Sequence, residues 1–102
     1  MASSVEYLEY VLDLLADVPQ VTTRKMMGEY LLYAQGKPFG GVYDDRFLVK
    51  PTPASRAVLA VEELPYDGAS PLLLVDIEDG EAIASLVGAM LSELPEPKRR
   101  RK

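Results

Sequence analysis

"VTTRKMMGEYLLYAQGKPFGGVYDDRFLVK", Val21–Lys50, decides the fold. Turn-forming residues interrupt it too often for a helix, and the pieces between the breaks are rich in β-branched and aromatic side chains. "VTTRKM" precedes Gly28. "EYLLYA" ends at Gln35-Gly36-Lys37, where glycine admits a positive φ. "PFGGVY" runs into Asp44-Asp45-Arg46, and "FLVK" follows. Four short strands joined by such brief turns predict an antiparallel meander. Gly40-Gly41, inside the third strand, marks a bulge or a close approach by another element. The period-two alternation places Arg24 and Met26 on one face of the first strand and Lys25 on the other.

On the amino-terminal side the pattern is helical. Ser3 with Glu6, or Ser4, supplies a cap, and Val5, Leu8, Val11, Leu12 and Leu15 recur at helical spacing. Asp17-Val18-Pro19 ends the helix, because the residue before a proline avoids helical angles. On the carboxy-terminal side, Thr52 caps a short helix with Pro53 at its first position. Glu62-Glu63 reads as a solvated helix end and "LPYDGASP" as a loop. The apolar run Leu72–Val75 reads as a strand buried on both faces. Asp79 opens a last helix whose stripe is Ile83, Leu86, Val87, Met90, Leu91 and Leu94, stopped by Leu94-Pro95. The expected order is α-β-β-β-β-α-β-α: an α+β domain over residues 1–95, with an antiparallel sheet and helices largely on one face. Residues 96–102 read as a basic, disordered tail.

The chain has 102 residues, 48% of them apolar and 26% charged, which suits one domain with one modest core. It contains no Cys and no His, so thiolate and imidazole chemistry and the usual zinc clusters are excluded. No secretory signal is visible and no apolar run is long enough to span a bilayer, so the expected location is the cytoplasm. The net charge of −5 is unevenly spread. Lys98, Arg99, Arg100, Arg101 and Lys102 hold five of the eleven cations, leaving six against all sixteen acids in residues 1–97, a body of −10. Such a body repels phosphate backbones, whereas the tail suits salt-dependent contact with phosphate or an acidic partner.

Asp44-Asp45 is best explained as turn chemistry. "DIEDGE", Asp76–Glu81, lacks the alternating oxygen ligands of a calcium loop, and Asp79 and Glu81 suit the dipole of a helix start. "GKPFGG" matches neither phosphate-loop nor dinucleotide spacing. Tyr30, Tyr33 and Tyr43 on neighbouring strands fit sheet packing better than base stacking on so acidic a body. No nucleophile–base pair stands out, and neither a metal nor a cofactor is expected.

Arg24, Lys25, Met26, Met27 and Gly28, then Gly36, a strand ending in Lys50, an apolar strand, an acidic helix start and a helix closing at Leu94-Pro95 form an ordered set. It resembles the amino-terminal domain of the TfoX/Sxy competence-regulator family over almost the whole chain. The resemblance implies an α+β fold grouped with secretion-chaperone-like domains and often dimeric. It further implies a role in switching on DNA-uptake genes with the cyclic-AMP receptor protein. The full-length regulators carry a second, helical domain, so a stand-alone first domain is expected here. The leading expectation is a small non-enzymatic regulatory module that acts by protein contact, as a homodimer. The alternatives are nucleic-acid association through Lys98–Lys102, and an anionic small-ligand domain with a pocket near Arg24 and Lys50. Arg24, Met27, Tyr30 and Lys50 are the candidate contact residues. Surface ion pairing is the competing explanation for Arg24 and Lys50.

Overall fold

The structure is a computed structural model and describes residues 4–26 and 29–94. The elements are α1 (Val5–Leu14), β1 (Val21–Met26), β2 (Glu29–Ala34), β3 (Lys37–Val42), β4 (Phe47–Val49), α2 (Pro53–Val58), β5 (Glu62–Glu63), β6 (Leu72–Leu74) and α3 (Gly80–Leu91). All strands join one sheet in the order β1-β2-β3-β4-β6-β5, every neighbouring pair antiparallel. No described helix is long and apolar enough to cross a membrane.

The meander forms where the turn residues require it. Gln35 and Gly36 (φ 53° and 81°) turn β2 into β3, and Asp44 and Asp45 (φ 53° and 56°) turn β3 into β4. Tyr43 and Arg46 exchange both backbone hydrogen bonds across the second turn, each 2.9 Å. That is the two-residue hairpin geometry whose twist matches the strands. Asp45 also ties this turn to the start of α1, since its Oδ1 accepts from the Ser4 N–H at 2.9 Å. The expected irregularity falls at Gly40. Leu32 pairs with Gly40 and the next residue, Tyr33, with Pro38, so Phe39 is the extra residue of a bulge and its ring is fully buried.

One face of the sheet carries the core. Tyr30, Leu32, Ala34, Phe39, Val42, Phe47, Val49 and Leu73 project from it against Val11 and Leu15 of the α1 region and against Ile83, Leu86, Val87 and Met90 of α3. Each helix starts on a local cap. Ser4 Oγ accepts from the Tyr7 N–H, Asp79 accepts from the Glu81 N–H, and Thr52 and Ser55 form a reciprocal capping box with Pro53 behind it. The carboxy-terminal end of α3 receives a cation from the sheet: Lys37 Nζ donates to the carbonyls of Leu91 at 2.8 Å and Leu94 at 3.4 Å.

Three sequence expectations are corrected. Glu62-Glu63 is not a helix end: α2 stops at Val58, and the two glutamates form β5, paired with Leu73 and Leu72. β6 is not buried on both faces, since Leu73 is enclosed whereas Leu72 and Leu74 are half-buried on the side away from the helices. Val5 belongs to the apolar stripe of α1 by spacing but is 56% exposed, because the first turn is fastened by Ser4 rather than by packing.

Candidate functional site on the open face of the sheet

Directly paired residues of antiparallel strands share a face. The register therefore sets Thr22, Arg24 and Met26 of β1 beside Tyr33, Leu31 and Glu29 of β2, on the face away from the core. Leu31 in turn faces Gly41 of β3, and Gly41 faces Leu48 of β4. The absence of a side chain at Gly41 matters here. A Cβ would lie 2.8 Å from the Tyr43 ring and 2.6 Å from the Tyr30 carbonyl, so glycine lets that ring lie down across the sheet.

The loop between β5 and β6 forms a wall over this floor. Arg46 fixes it. Its Nη1 donates to Glu63 Oε1 at 2.7 Å, its Nη2 to the carbonyls of Leu64 and Pro65 at 3.1 and 3.4 Å, and its Nε at 3.2 Å to the carbonyl of Tyr43, its hairpin partner. Pro65 is thereby buried against the sheet while Tyr66 stays 65% exposed. Floor and wall enclose a trough in two continuous parts. One, about 430 Å³, is lined by Leu31, Tyr33, Tyr43, Lys50, Tyr66 and Leu72 among others. The second, about 470 Å³, shares Leu31, Tyr43, Pro65 and Tyr66 and extends to Met26 and Glu29. The Tyr43 phenol holds its proton above the ordinary tyrosine range. Burial is the main cause, followed by the proximity of Tyr66, Glu29 and Tyr33. The three phenols thus converge on one region of the trough.

Of the candidate contact residues, Lys50 lines this trough, half-buried. Arg24 lies exposed on the same face but borders a separate, shallower depression with Thr22, Thr23 and Tyr33, so the two cations do not share one pocket. Neither makes a side-chain ion pair among the described residues, where the ion pairs are Arg46–Glu63 and Arg56–Glu62. Tyr30 points the other way: it is 8% exposed and belongs to the core, so its phenol does not meet Arg24 or Lys50. Met27 and Lys98–Lys102 lie outside the described residues. Tyr33 and Tyr43 do share a face, and Tyr66 joins them from the loop. Sequence reasoning passed over Tyr66 and Arg46. The signal for the first is an aromatic in a Pro- and Gly-rich loop; for the second, an arginine beside a two-residue turn.

The arrangement is an α+β domain with one face sealed by helices, the other bearing an aromatic trough with a cation, Lys50, in its lining. Such a surface is equipped to bind; no carboxylate cluster of metal-binding size exists among the described residues. Comparison with known proteins gives the family. The TfoX N-terminal domain matches residues 13–70, more than half of the chain. An uncharacterised 12.7 kDa protein in the trpE 5′ region of Spirochaeta aurantia is 33% identical over 105 residues, covering 99% of this chain and 91% of that protein. The chain belongs to the TfoX N-terminal domain family.

Proposed function

We propose that this domain is a non-enzymatic protein-contact module that works as a homodimer joined through the free edge of β1. The observation that carries this reading is β1 itself. It lies at the end of the sheet with β2 as its one strand neighbour, and five of its six residues are exposed. An edge of this kind offers a row of unpaired N–H and C=O groups to another strand. The opposite edge, β5, has two residues and offers far less. A two-fold pairing centred on Thr23 keeps each face of the sheet continuous and sets Arg24 opposite Thr22 of the second copy and Lys25 opposite Val21. No like charges then face each other directly, which a self-complementary interface requires.

Amide hydrogen exchange with sedimentation velocity tests the pairing. A dimer joined at β1 sediments at about twice the 11.2 kDa chain mass and protects consecutive amides along Val21–Met26. A monomer at high concentration, with every second β1 amide exchanging freely, refutes it. Family membership makes transcription regulation the natural setting, with the cyclic-AMP receptor protein as the partner the resemblance suggests. Transcripts compared with and without the gene test that role; an unchanged set of DNA-uptake genes removes it.

A further inference from the structure

The Lys50 part of the trough on the open face has no lining residue from β1, and we propose that the trough is a binding site for a small free monocarboxylic acid with an aromatic or aliphatic body. Lys50 is the carboxylate anchor, and the surface made by Leu31, Tyr43 and Tyr66 receives the body. Three observations carry the assignment. Lys50 is half-buried without an anionic partner among the described residues, although the body carries far more acids than bases. As the cation in the trough's lining, Lys50 offers a carboxylate an opposite charge beside an apolar surface. The lining around it is mainly apolar and aromatic, with Tyr33, Tyr43 and Tyr66 brought together and Leu72 beside them. The far end of the trough is lined by Glu29, whose carboxylate accepts from the Asp44 N–H, so an acid rather than a second cation stands there.

These features select among anions. Phosphate recognition calls for several converging donors, such as an arginine fork or backbone N–H groups at a helix start. Here a single lysine lines the trough, and Arg24 is turned to a different depression. One point charge with an apolar floor fits one carboxylate attached to one apolar body. The Lys50 part alone, about 430 Å³, has the size of a small-molecule site, which favours a free acid over a longer peptide.

The probes are 3-phenylpropionate, its uncharged amide, inorganic phosphate, and a tetrapeptide ending in phenylalanine with a free carboxylate. Titration of the full chain is followed by amide chemical shifts and by thermal unfolding. The acid should shift the amides of Leu31, Tyr43, Lys50 and Ser70 saturably and raise the unfolding temperature. The amide should bind at least tenfold more weakly, and phosphate should leave these signals unmoved. Lys50→Met, which keeps the aliphatic stem, should weaken the acid at least tenfold, while Lys50→Arg retains it. Tyr66→Ala, at an exposed loop position, should weaken both acid and amide and covers the case in which Lys50→Met fails to fold. Equal binding of acid and amide, no binding at millimolar acid, unchanged affinity in Lys50→Met, or binding of the peptide alone each overturns the proposal. None of these outcomes depends on whether β1 pairs.

Discussion

At Gly40 the sheet has no space for even one more carbon. A Cβ there would collide with the Leu48 carbonyl oxygen and lie 2.9 Å from the Val49 Cα, and both are backbone atoms of the neighbouring strand that cannot swing aside. Gly40→Ala should therefore destabilise by about 1–3 kcal/mol, towards the upper end because backbone has to move. Gly88, in the middle of α3, is the opposite case. Nothing lies within 4 Å of its absent Cβ and its φ is not in the positive region, so Gly88→Ala should stabilise by about 1 kcal/mol. Urea denaturation of the two variants checks both signs at once, and a stabilised Gly40→Ala would contradict the bulge geometry. Ser55 is the third instructive position. It is fully buried: its hydroxyl donates to the Lys50 carbonyl at 2.9 Å and accepts from the Thr52 N–H at 2.7 Å. Ser55→Ala leaves both groups without that partner and should cost about 1–3 kcal/mol in the same assay. The glycine pair was legible in the sequence as a bulge, because two glycines in a strand need a reason. The demand on Ser55 was not, since it depends on where β4 ends relative to α2.

Elements whose ends are set by local chemistry were legible; elements defined by a partner were not. Ser4, Thr52-Pro53 and Asp79 announce helix starts because a cap uses only its own next three residues. β5 is a strand solely because β6 lies beside it, and two consecutive glutamates have little intrinsic reason to be extended. The same dependence hid the trough wall. The β5–β6 loop has no regular hydrogen-bond ladder and is held by Arg46, which lies 17 residues before its Glu63 partner. The ion pair itself is partly solvated, with side chains 27% and 35% exposed, and such pairs contribute about 0–1 kcal/mol. What Arg46 supplies is position. Arg46→Met should lower global stability by no more than about 1–2 kcal/mol yet speed exchange of the Ala69 amide, which donates to the Tyr66 carbonyl within the loop. Unchanged exchange at Ala69 would show that the loop is held by Pro65 packing alone. Among the candidate contacts, register separates Tyr30 from Arg24: the residue opposite Tyr30 is Lys25, so Arg24 takes the other face with Leu31. Lys50 could be placed on a strand but not in a trough, since the trough needs Tyr66 from a loop.

At the scale of the whole molecule, the sheet divides the chain into a sealed side and an open side, and a tyrosine on each reports on the division. Tyr7 of α1 packs against the core, and its phenol is pushed up chiefly by burial, with a hydrogen bond to the Phe47 backbone opposing and the nearby Asp45 and Glu78 adding. Tyr43 in the trough is pushed up chiefly by burial as well, with Tyr66, Glu29 and Tyr33 adding. In the unfolded chain both phenols titrate near the ordinary value of about 10. The folded state keeps the two protons to higher pH, so folding binds protons in that range. The corresponding stability is complete below about pH 10 and declines as pH rises through the folded-state values. Between about pH 9 and about pH 11 the urea midpoint of the natural chain should therefore fall. Tyr7→Phe and Tyr43→Phe should each flatten that fall, and the double variant should flatten it further. Absorbance of the phenolates under native conditions separates the two sides: Tyr43→Phe should remove a late-titrating phenol that lies in the trough, and Tyr7→Phe one that lies at the helix layer. A midpoint that falls equally steeply in the double variant would place the alkaline sensitivity elsewhere, for instance at Tyr10, whose phenol is likewise pushed up, by desolvation and then by Glu78.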